Sequence, residues 1–371
     1  MKKRYLSFVM SALMLFSAGC SHNEEEKAVS LDEIKLIIEE PVEEDKEEYE
    51  EHVEDVQVIE PETETIIRDI VISAVGDCTL GTDTNFGYSN SFTNVLDDNN
   101  RDFGYFFKGV EDIVQNDDLT IANLETTFTS SNNRVDKTFN FKGDSDYASI
   151  LTEGSIEAVN LANNHTYDYG TTGYKDTIAA LNEVGVPYFG YDDYVVLEFD
   201  GIEVGLAGIT GWDEASAKAN TDKAIEYFHR NNIDLIIMTY HWGIERDYDQ
   251  NATQQNIARY AVEQGADLVI GHHPHVLQGI ECYQGKYIIY SLGNFVFGGN
   301  KNPKDKDTMI FQQTFHYEDG YLTDTSIEII PCSLSGETNR NNYQPVILEG
   351  EEKERVLQKV LDHSINFEYE K

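Results

Sequence analysis

The sequence repeats one pattern, in which an apolar run of strand length ends in a small polar cluster. Six runs show it: residues 69–75 before Gly76-Asp77, 119–122 before Asn123-Leu124-Glu125, 156–162 before Asn163-Asn164-His165, 233–238 before His241-Trp242-Gly243, 266–270 before Gly271-His272-His273-Pro274-His275, and 286–290 before Ser291-Leu292-Gly293-Asn294. Continuous apolar runs are typical of strands that are buried on both faces of a sheet. Because helix-like segments lie between them, the pattern predicts an α/β domain.

Other segments add antiparallel strands and helices to this frame. The strand-like segments that predict hairpins are residues 194–199, 203–208, 307–316 and 321–330. The helix-like segments are residues 174–184, 253–263 and 351–361. We therefore expect mixed sheets, with the folded domain at residues 69–345 and a helical tail at residues 346–371.

The composition limits which folds and which partners are possible for this chain. With 371 residues, 40% of them hydrophobic, the chain can bury a sizeable core. Its formal net charge of −41 would repel the phosphate backbone of DNA or RNA. We therefore expect no nucleic-acid partner.

The N-terminus resembles a bacterial lipoprotein signal. Lys2-Lys3-Arg4 precedes an apolar stretch, residues 5–16, that is too short to span a bilayer. Ser17-Ala18-Gly19-Cys20 is similar to a lipoprotein box, although Ser17 replaces the usual leucine. We expect a signal peptide at residues 1–19 and lipidation of Cys20, which would anchor the protein on the extracytoplasmic face of a bacterial cell membrane. The alternative is ordinary signal cleavage and a free secreted protein.

Residues 20–68 predict a linker rather than a folded domain. They hold 19 Asp and Glu against 4 Lys and Arg, without a sustained apolar face. Such a segment repels itself, so we expect an acidic, disordered spacer. Beyond it, Cys78, Cys282 and Cys332 allow at most one disulfide, and Cys282 with Cys332 is the possible pair.

Five of the strand ends carry side chains that can bind metals or protons. These are Asp77, Glu125, Asn164 with His165, His241, and His273 with His275. Loops at one edge of a sheet converge, so ligands that are distant in sequence can share a site. Two carboxylates, an amide oxygen and three imidazoles suit two divalent ions that share a carboxylate. Each element also has a structural explanation, such as a core histidine beside Trp242, but the ordered set favours one site.

Residues 271–275 contain three histidines within four positions. If the preceding strand continues through them, alternation places His273 and His275 on one face, where both can reach one ion. Pro274 could twist this pair, in which case His272 would take the place of His273. The sequence leaves both arrangements open.

Taken together, these motifs resemble those of a known family. Gly76-Asp77, Asn123-Leu124-Glu125, Asn163-Asn164-His165 with Asp168 and Gly170, His241-Trp242-Gly243, Gly271-His272-His273-Pro274-His275-Val276 with Gln278, and Tyr290-Ser291-Leu292-Gly293-Asn294-Phe295 follow the order of the bacterial CapA family. That family is linked to capsule and poly-γ-glutamate synthesis and lies within the calcineurin-like metallophosphatase superfamily. The resemblance covers roughly residues 70–297 and implies a four-layer αββα sandwich, with metals at the strand ends.

The resemblance also implies a role for each matched residue. Asp77 would bind the first metal, Glu125 would bridge the two, Asn164 and His241 would bind the second, His273 and His275 would complete the site, and His165 would be the general acid, oriented by Asp168. The metals would be two divalent ions, of Mn, Fe or Zn. In two places the chain departs from the wider superfamily: Asp77-Cys78-Thr79 lacks the histidine of Asp-x-His, and Glu125 stands where the bridge is usually Asp.

Two functions follow from the resemblance. The first is a lipid-anchored, metal-dependent hydrolase of capsule or poly-γ-glutamate biosynthesis, which would cleave a phosphoester or a γ-glutamyl amide. The second is a non-catalytic partner of a membrane polymer synthase or export complex, which the incomplete first motif keeps open. In both cases the partners would be membrane components of the capsule or poly-γ-glutamate synthase.

Overall fold

Two β-sheets packed face to face form the body of the chain in a computed structural model that describes residues 65–369. The predicted signal peptide, Cys20 and nearly all of the predicted linker lie outside the described residues. Among the helices of residues 65–369, none combines the length and the apolar character needed to cross a membrane.

Seventeen strands lie within the described residues. In chain order they are β1 Ile67–Thr79, β2 Thr82–Asp83, β3 Leu119–Leu124, β4 Thr127–Phe128, β5 Phe141–Gly143, β6 Ala158–Asn160, β7 Tyr188–Phe189, β8 Val195–Phe199, β9 Ile202–Thr210, β10 Leu235–His241, β11 Leu268–His272, β12 Ile280–Tyr283, β13 Lys286–Ile289, β14 Asn294–Phe297, β15 Asp307–Glu318, β16 Tyr321–Ser333 and β17 Val346–Ile347.

The same part of the chain contains seven α-helices and two 3₁₀ helices. The α-helices are α1 Phe92–Asp98, α2 Glu111–Val114, α3 Ser149–Glu153, α4 Gly170–Val184, α5 Glu214–Arg230, α6 Ala252–Gln264 and α7 Gly350–Asp362. The 3₁₀ helices are Phe103–Val110 and Ser145–Ala148.

Both large sheets mix parallel and antiparallel strands, as predicted. The first has the order β17-β16-β15-β1-β3-β6-β7, with β14 also paired to β1. Its strands β1, β3, β6, β7 and β14 are parallel, whereas β15, β16 and β17 are antiparallel. The second has the order β12-β13-β11-β10-β9-β8, with antiparallel strands at both edges.

The alternation of side chains along the strands explains the layers. In β10, Leu235 and Ile237 join the apolar core between the two sheets, whereas Ile236, Met238 and Tyr240 face the opposite side. A strand with apolar residues on both faces must be covered on both sides. The sequence therefore requires helices outside the sheets as well as contact between them.

The helices meet this requirement and complete four layers. Helices α1, α3 and α4 share an apolar cluster with the outer face of the first sheet, and α5 and α6 share one with the outer face of the second. A third cluster joins the two inner faces. The predicted αββα sandwich is confirmed.

Some elements differ from their sequence patterns. Residues 156–162 predict a full strand, but β6 contains only three residues. A small sheet of order β2-β5-β4 was not predicted, because its strands of two or three residues show no measurable period. In the C-terminal segment, α7 packs Val356, Leu357 and Val360 into the core between the sheets.

The three cysteines of the described residues are free thiols. Cys78 and Cys332 are buried, whereas Cys282 is half-buried on β12. The disulfide between Cys282 and Cys332 that the sequence allows is not formed. Burial raises the pKa of both buried thiols to about 12, so both stay protonated at neutral pH.

We expect alkylation of the native protein to be selective among these thiols. Iodoacetamide should label Cys282 first, because only thiolates react and the other two side chains are excluded from solvent. Peptide mass spectrometry locates the label, and labelling after denaturation is the control. Rapid native labelling of Cys78 or Cys332 would contradict the packing described here.

Candidate metal centre

Asp77 reaches the space between the sheets because β1 carries a bulge. From Ala74 to Asp77, β1 advances three residues while its partner β3 advances two. The extra residue shifts the alternation, so Asp77 points inward, as Ala74 does. A Cβ atom at Gly76 would lie 2.2 Å from the carbonyl oxygen of Gly293, so only glycine fits there. The same carbonyl accepts a 2.9 Å hydrogen bond from the Asp77 amide.

The Asp77 carboxylate contacts side chains from both sheets. Its Oδ1 accepts a 2.9 Å hydrogen bond from Asn123 Nδ2, and its Oδ2 accepts one of 3.2 Å from the His273 amide. The Nδ1 atom of His275 lies 3.0 Å from Oδ2, and that of His272 lies 3.3 Å from Oδ1. Asp77 therefore joins the first sheet to the histidine-rich end of the second.

Glu125 directly follows β3 and is fully buried. Its amide donates to the carbonyl of Cys78 at 2.8 Å, which fixes the backbone beside Asp77. Neither carboxylate oxygen has a hydrogen-bond partner, and the nearest ring nitrogen, His241 Nε2, is 3.3 Å from Oε1. A buried carboxylate without donors is costly unless a cation balances it.

His241 and Asn164 meet across the two sheets. His241 ends β10 on the inner face and is fully buried, and its Nε2 lies 2.9 Å from Asn164 Oδ1. Asn163 builds the turn that presents Asn164, because its side chain accepts from the His165 amide and donates to the carbonyl of Leu124. The two asparagines of this motif thus have separate tasks.

The histidine cluster differs from its predicted geometry. Strand β11 ends at His272, so alternation places His272, rather than His273 and His275, on the inner face. His273 has φ 99° and His275 has φ 57°, both far from extended backbone. The alternation argument for these two residues was therefore wrong. Their rings nevertheless lie 5.7 Å apart, because the positive φ angles turn both back toward the site.

The donor atoms of these residues fit divalent ions. Asp77, Glu125 and His241 place one donor each within 4.8 Å of one another, and Glu245, His273 and His275 do the same. Ligands bound to one zinc-class ion at about 2.0–2.1 Å lie about 3.3 Å apart, which matches the 3.3 Å between His241 Nε2 and Glu125 Oε1. The unpartnered oxygens of Glu125 are the strongest sign that this chemistry suits a cation.

The electrostatics of the site favour the metal-binding forms of most of its residues. Burial raises the pKa of Glu125 well above its usual value, and the charge of Asp77 adds to this. Burial also acts to raise the pKa of Asp77, but the imidazoles beside it outweigh that effect and hold it well below its usual value. Burial lowers the pKa of His241, and that of His273 to about 4. Metals bind neutral imidazoles and ionised carboxylates, and a cation would favour ionised Glu125.

His165 lies beside these candidate ligands in a chain of polar contacts. Its Nδ1 is 2.8 Å from Asp168 Oδ2, an oxygen that also accepts from the Phe141 amide at 2.6 Å. Lys137 Nζ is 2.5 Å from the other Asp168 oxygen and donates to the Asn164 carbonyl at 2.7 Å. Burial lowers the pKa of His165, and Asp168 opposes this shift. Because Nδ1 is engaged, Nε2 is the nitrogen that can exchange a proton with a ligand.

Several residues near the site were missed by sequence reasoning. Lys137 lies in an irregular connection with no motif. Trp212, half-exposed, stands 4.7 Å from His273 between ring centroids, just after β9. Asn294 Oδ1 lies 2.9 Å from His275 Nδ1, and its motif was recognised without a role. Among these residues, Glu245 could have been identified from the sequence, because its carboxylate follows the turn at Gly243 by two residues.

Comparisons with known proteins point to one family. The family model described as bacterial capsule synthesis protein PGA_cap matches residues 71–299. The capsule biosynthesis protein CapA of Bacillus anthracis is 30% identical over 257 residues, 62% of this chain and 61% of that protein. The PGA biosynthesis protein CapA of Bacillus subtilis is 34% identical over 213 residues, 52% of this chain and 56% of that protein.

A third relative has a different description. A probable polyglutamine synthesis accessory protein of Mycobacterium tuberculosis is 26% identical over 254 residues, 59% of this chain and 66% of that protein. In each of the three cases the match spans less than two thirds of the relative's own length.

The unpartnered carboxylate predicts an unusual stability effect. In chelator at pH 7, Glu125→Gln should raise the free energy of unfolding by about 1 kcal/mol or more, because a buried amide costs less than a buried charge. Since the folded state raises the pKa of Glu125, its carboxylate lowers stability as pH rises above 4.5, so the gain should be larger at pH 8 than at pH 5. Urea denaturation at pH 5, 7 and 8 measures the free energy of unfolding and its dependence on pH.

Glu281→Gln is the matched control for this prediction. Glu281 is equally buried, but its oxygens pair with Arg259 Nε at 2.9 Å and with the Tyr290 hydroxyl at 2.6 Å. Its neutralisation should therefore destabilise the protein. Equal losses in both variants would contradict the assignment of Glu125 as an uncompensated charge.

Proposed function

Because the chain belongs to the bacterial capsule synthesis family PGA_cap, we propose that it acts in capsule or poly-γ-glutamate biosynthesis as a metal-dependent hydrolase of phosphoesters. The observation that carries the proposal is the buried, unpartnered Glu125 between Asp77 and His241, with His165 beside them. Paired divalent ions of Mn, Fe or Zn are the cofactors that such a ligand set suits.

Each residue of the site has a task in this reaction. Asp77, Glu125 and His241 would hold a metal, and divalent ions at this position would polarise a phosphoryl oxygen and lower the pKa of a water molecule. His165, with its Nδ1 fixed by Asp168, would give a proton from Nε2 to the leaving oxygen. Lys137 balances the charge of Asp168 and so holds that carboxylate in place.

A second candidate function is a non-catalytic partner of a membrane polymer synthase. It is favoured by Thr79, which stands where the wider superfamily has a histidine and whose buried hydroxyl has no hydrogen-bond partner. The accessory description of the Mycobacterium tuberculosis relative agrees with such a role. In either case we infer that membrane components of the synthase are the partners.

The two functions differ in metal content and turnover. We expect close to two equivalents of metal by elemental analysis of the reconstituted protein, and loss of both in Asp77→Ala/His275→Ala. His165→Ala should keep its metals but lower kcat for an alkyl phosphodiester by about 10²–10⁴-fold, because a poor alkoxide leaving group needs the proton that His165 would donate.

His316→Ala is the control for this experiment. His316 pairs with Asp69 on the surface of β15, away from the site, so its loss should leave turnover unchanged. Absence of bound metal after reconstitution would contradict the hydrolase proposal. Bound metal without turnover, in wild type as well as in His165→Ala, would instead favour the synthase partner.

We further propose that the protein is a lipoprotein of the extracytoplasmic membrane face. The support is the sequence Ser17-Ala18-Gly19-Cys20 after a short apolar stretch. Cys20→Ala should move the protein from the membrane fraction to the medium or to the soluble fraction. Immunoblotting of cell fractions measures this, with Cys282→Ala as the matched control; an unchanged distribution of Cys20→Ala would refute lipid anchoring.

A further inference from the structure

Glu245 extends the metal centre toward solvent. Its carboxylate, His273 and His275 place one donor atom each within 4.8 Å of one another. Three atoms at that limiting separation share a point about 2.8 Å from each, whereas bonds to a zinc-class ion are about 2.0–2.2 Å long. The three donors would therefore move slightly closer together to bind one ion. No motif of the sequence singled out this residue.

The backbone holds Glu245 in this place. The loop after β10 turns at Gly243 with φ 81° and at Arg246 with φ 64°. The Arg246 amide then donates a 2.7 Å hydrogen bond to the carbonyl of Pro274, between the two histidines. The loop is thus fixed to the histidine turn next to Glu245.

His273 offers an open donor to the same position. Its side chain is buried and its Nδ1 atom has no hydrogen-bond partner. The indole of Trp212 packs edge-on against the ring, with centroids 4.7 Å apart, and fixes its orientation. A buried imidazole nitrogen without a partner is costly unless something binds it.

The second group is adjacent to the first but differs in exposure. His275 Nδ1 lies 3.0 Å from Asp77 Oδ2, so the two sets of donors meet at this pair. Asp77, Glu125 and His241 are fully buried, whereas Glu245 is exposed. An ion in the outer group would therefore exchange with solvent more easily than one in the inner group.

We propose that Glu245 is a metal ligand, and that with His273 and His275 it forms the outer, exchangeable half of a dinuclear centre. The assignment rests on the proposed metal dependence and goes beyond it by naming the ligand set of each ion. The assignment adds a ligand from the loop after β10. This ligand compensates for the histidine that is absent from Asp77-Cys78-Thr79.

A simple ion pair is the rival explanation for the same proximity. Although burial acts to lower it, the charges of Glu125, Asp77 and Glu245 raise the pKa of His275 to about 9. In that case Glu245 would only balance a protonated imidazole. Metal stoichiometry separates the two explanations, because an ion pair does not require a bound cation.

The experiment compares full-length wild-type protein with Glu245→Gln after metal removal. Each is titrated with Mn²⁺ alone, and bound metal is followed by equilibrium dialysis with elemental analysis and by electron paramagnetic resonance. Wild type should bind two ions and show the coupled spectrum of a close pair. Glu245→Gln should keep one tight ion with an uncoupled spectrum and bind the second at least about ten-fold more weakly.

Two further variants make the result interpretable. Glu183→Gln removes an exposed glutamate from α4 and should behave as wild type. Glu245→Asp keeps the carboxylate and should recover part of the second affinity. Thermal unfolding of the metal-free proteins checks that each variant is folded.

The outcomes separate this assignment from the proposed function. Two ions with wild-type affinity in Glu245→Gln would overturn the role of Glu245 and leave the dinuclear hydrolase intact. Loss of both ions together in a folded Glu245→Gln would overturn the division into inner and outer halves. No Mn²⁺ bound to wild type would remove the proposed metal dependence itself, and this assignment with it.

Discussion

The contact between the backbones of Gly76 and Gly293 fixes the position of Asp77 and therefore of the candidate metal centre. No side chain fits between these two segments, and the hydrogen bond from Asp77 to Gly293 closes the contact. The bulge that precedes it turns Asp77 from the helix-covered face of β1 to the face between the sheets. Without this one-residue shift, Asp77 would be buried among apolar side chains, and His272 and His275 would lose the carboxylate that they contact.

The same arrangement buries two carboxylates, and the protein's own groups balance the charge of only one of them. Asp77 is balanced by hydrogen bonds and imidazoles, but Glu125, equally buried, has no such donors. Elsewhere in the fold a buried glutamate is paired, as Glu281 is with Arg259 and Tyr290. Because both side chains are excluded from water, the difference between Glu125 and Glu281 is the one expected between a metal ligand and a structural ion pair. A metal centre of the proposed kind would trade stability of the metal-free fold for affinity toward cations.

Sequence reasoning located the strands and most of the site, because apolar runs that end in polar residues report both burial and the sheet edge. It predicted the convergence of Asp77, Glu125, Asn164 and His241, whose positions follow from strand ends alone. Its strand-alternation argument for His273 and His275 was wrong, because positive φ angles replace the assumed extended backbone, although both residues lie at the site. Sequence reasoning could not identify Lys137, because only the tertiary structure brings that irregular segment to Asp168.

Charge also limits how a substrate can approach this centre. A chain with a net charge of −41 repels a polyanion, but at physiological salt such repulsion is screened beyond about 8 Å. Attraction must then come from groups within that range of the site, such as Lys137, which is partly exposed, and the cations that the ligands suit. A single phosphoester or a chain end can use this local attraction, whereas a polyglutamate strand lying along the acidic surface cannot. For the proposed hydrolase, this net charge favours a small or terminal group over the body of the polymer as the substrate.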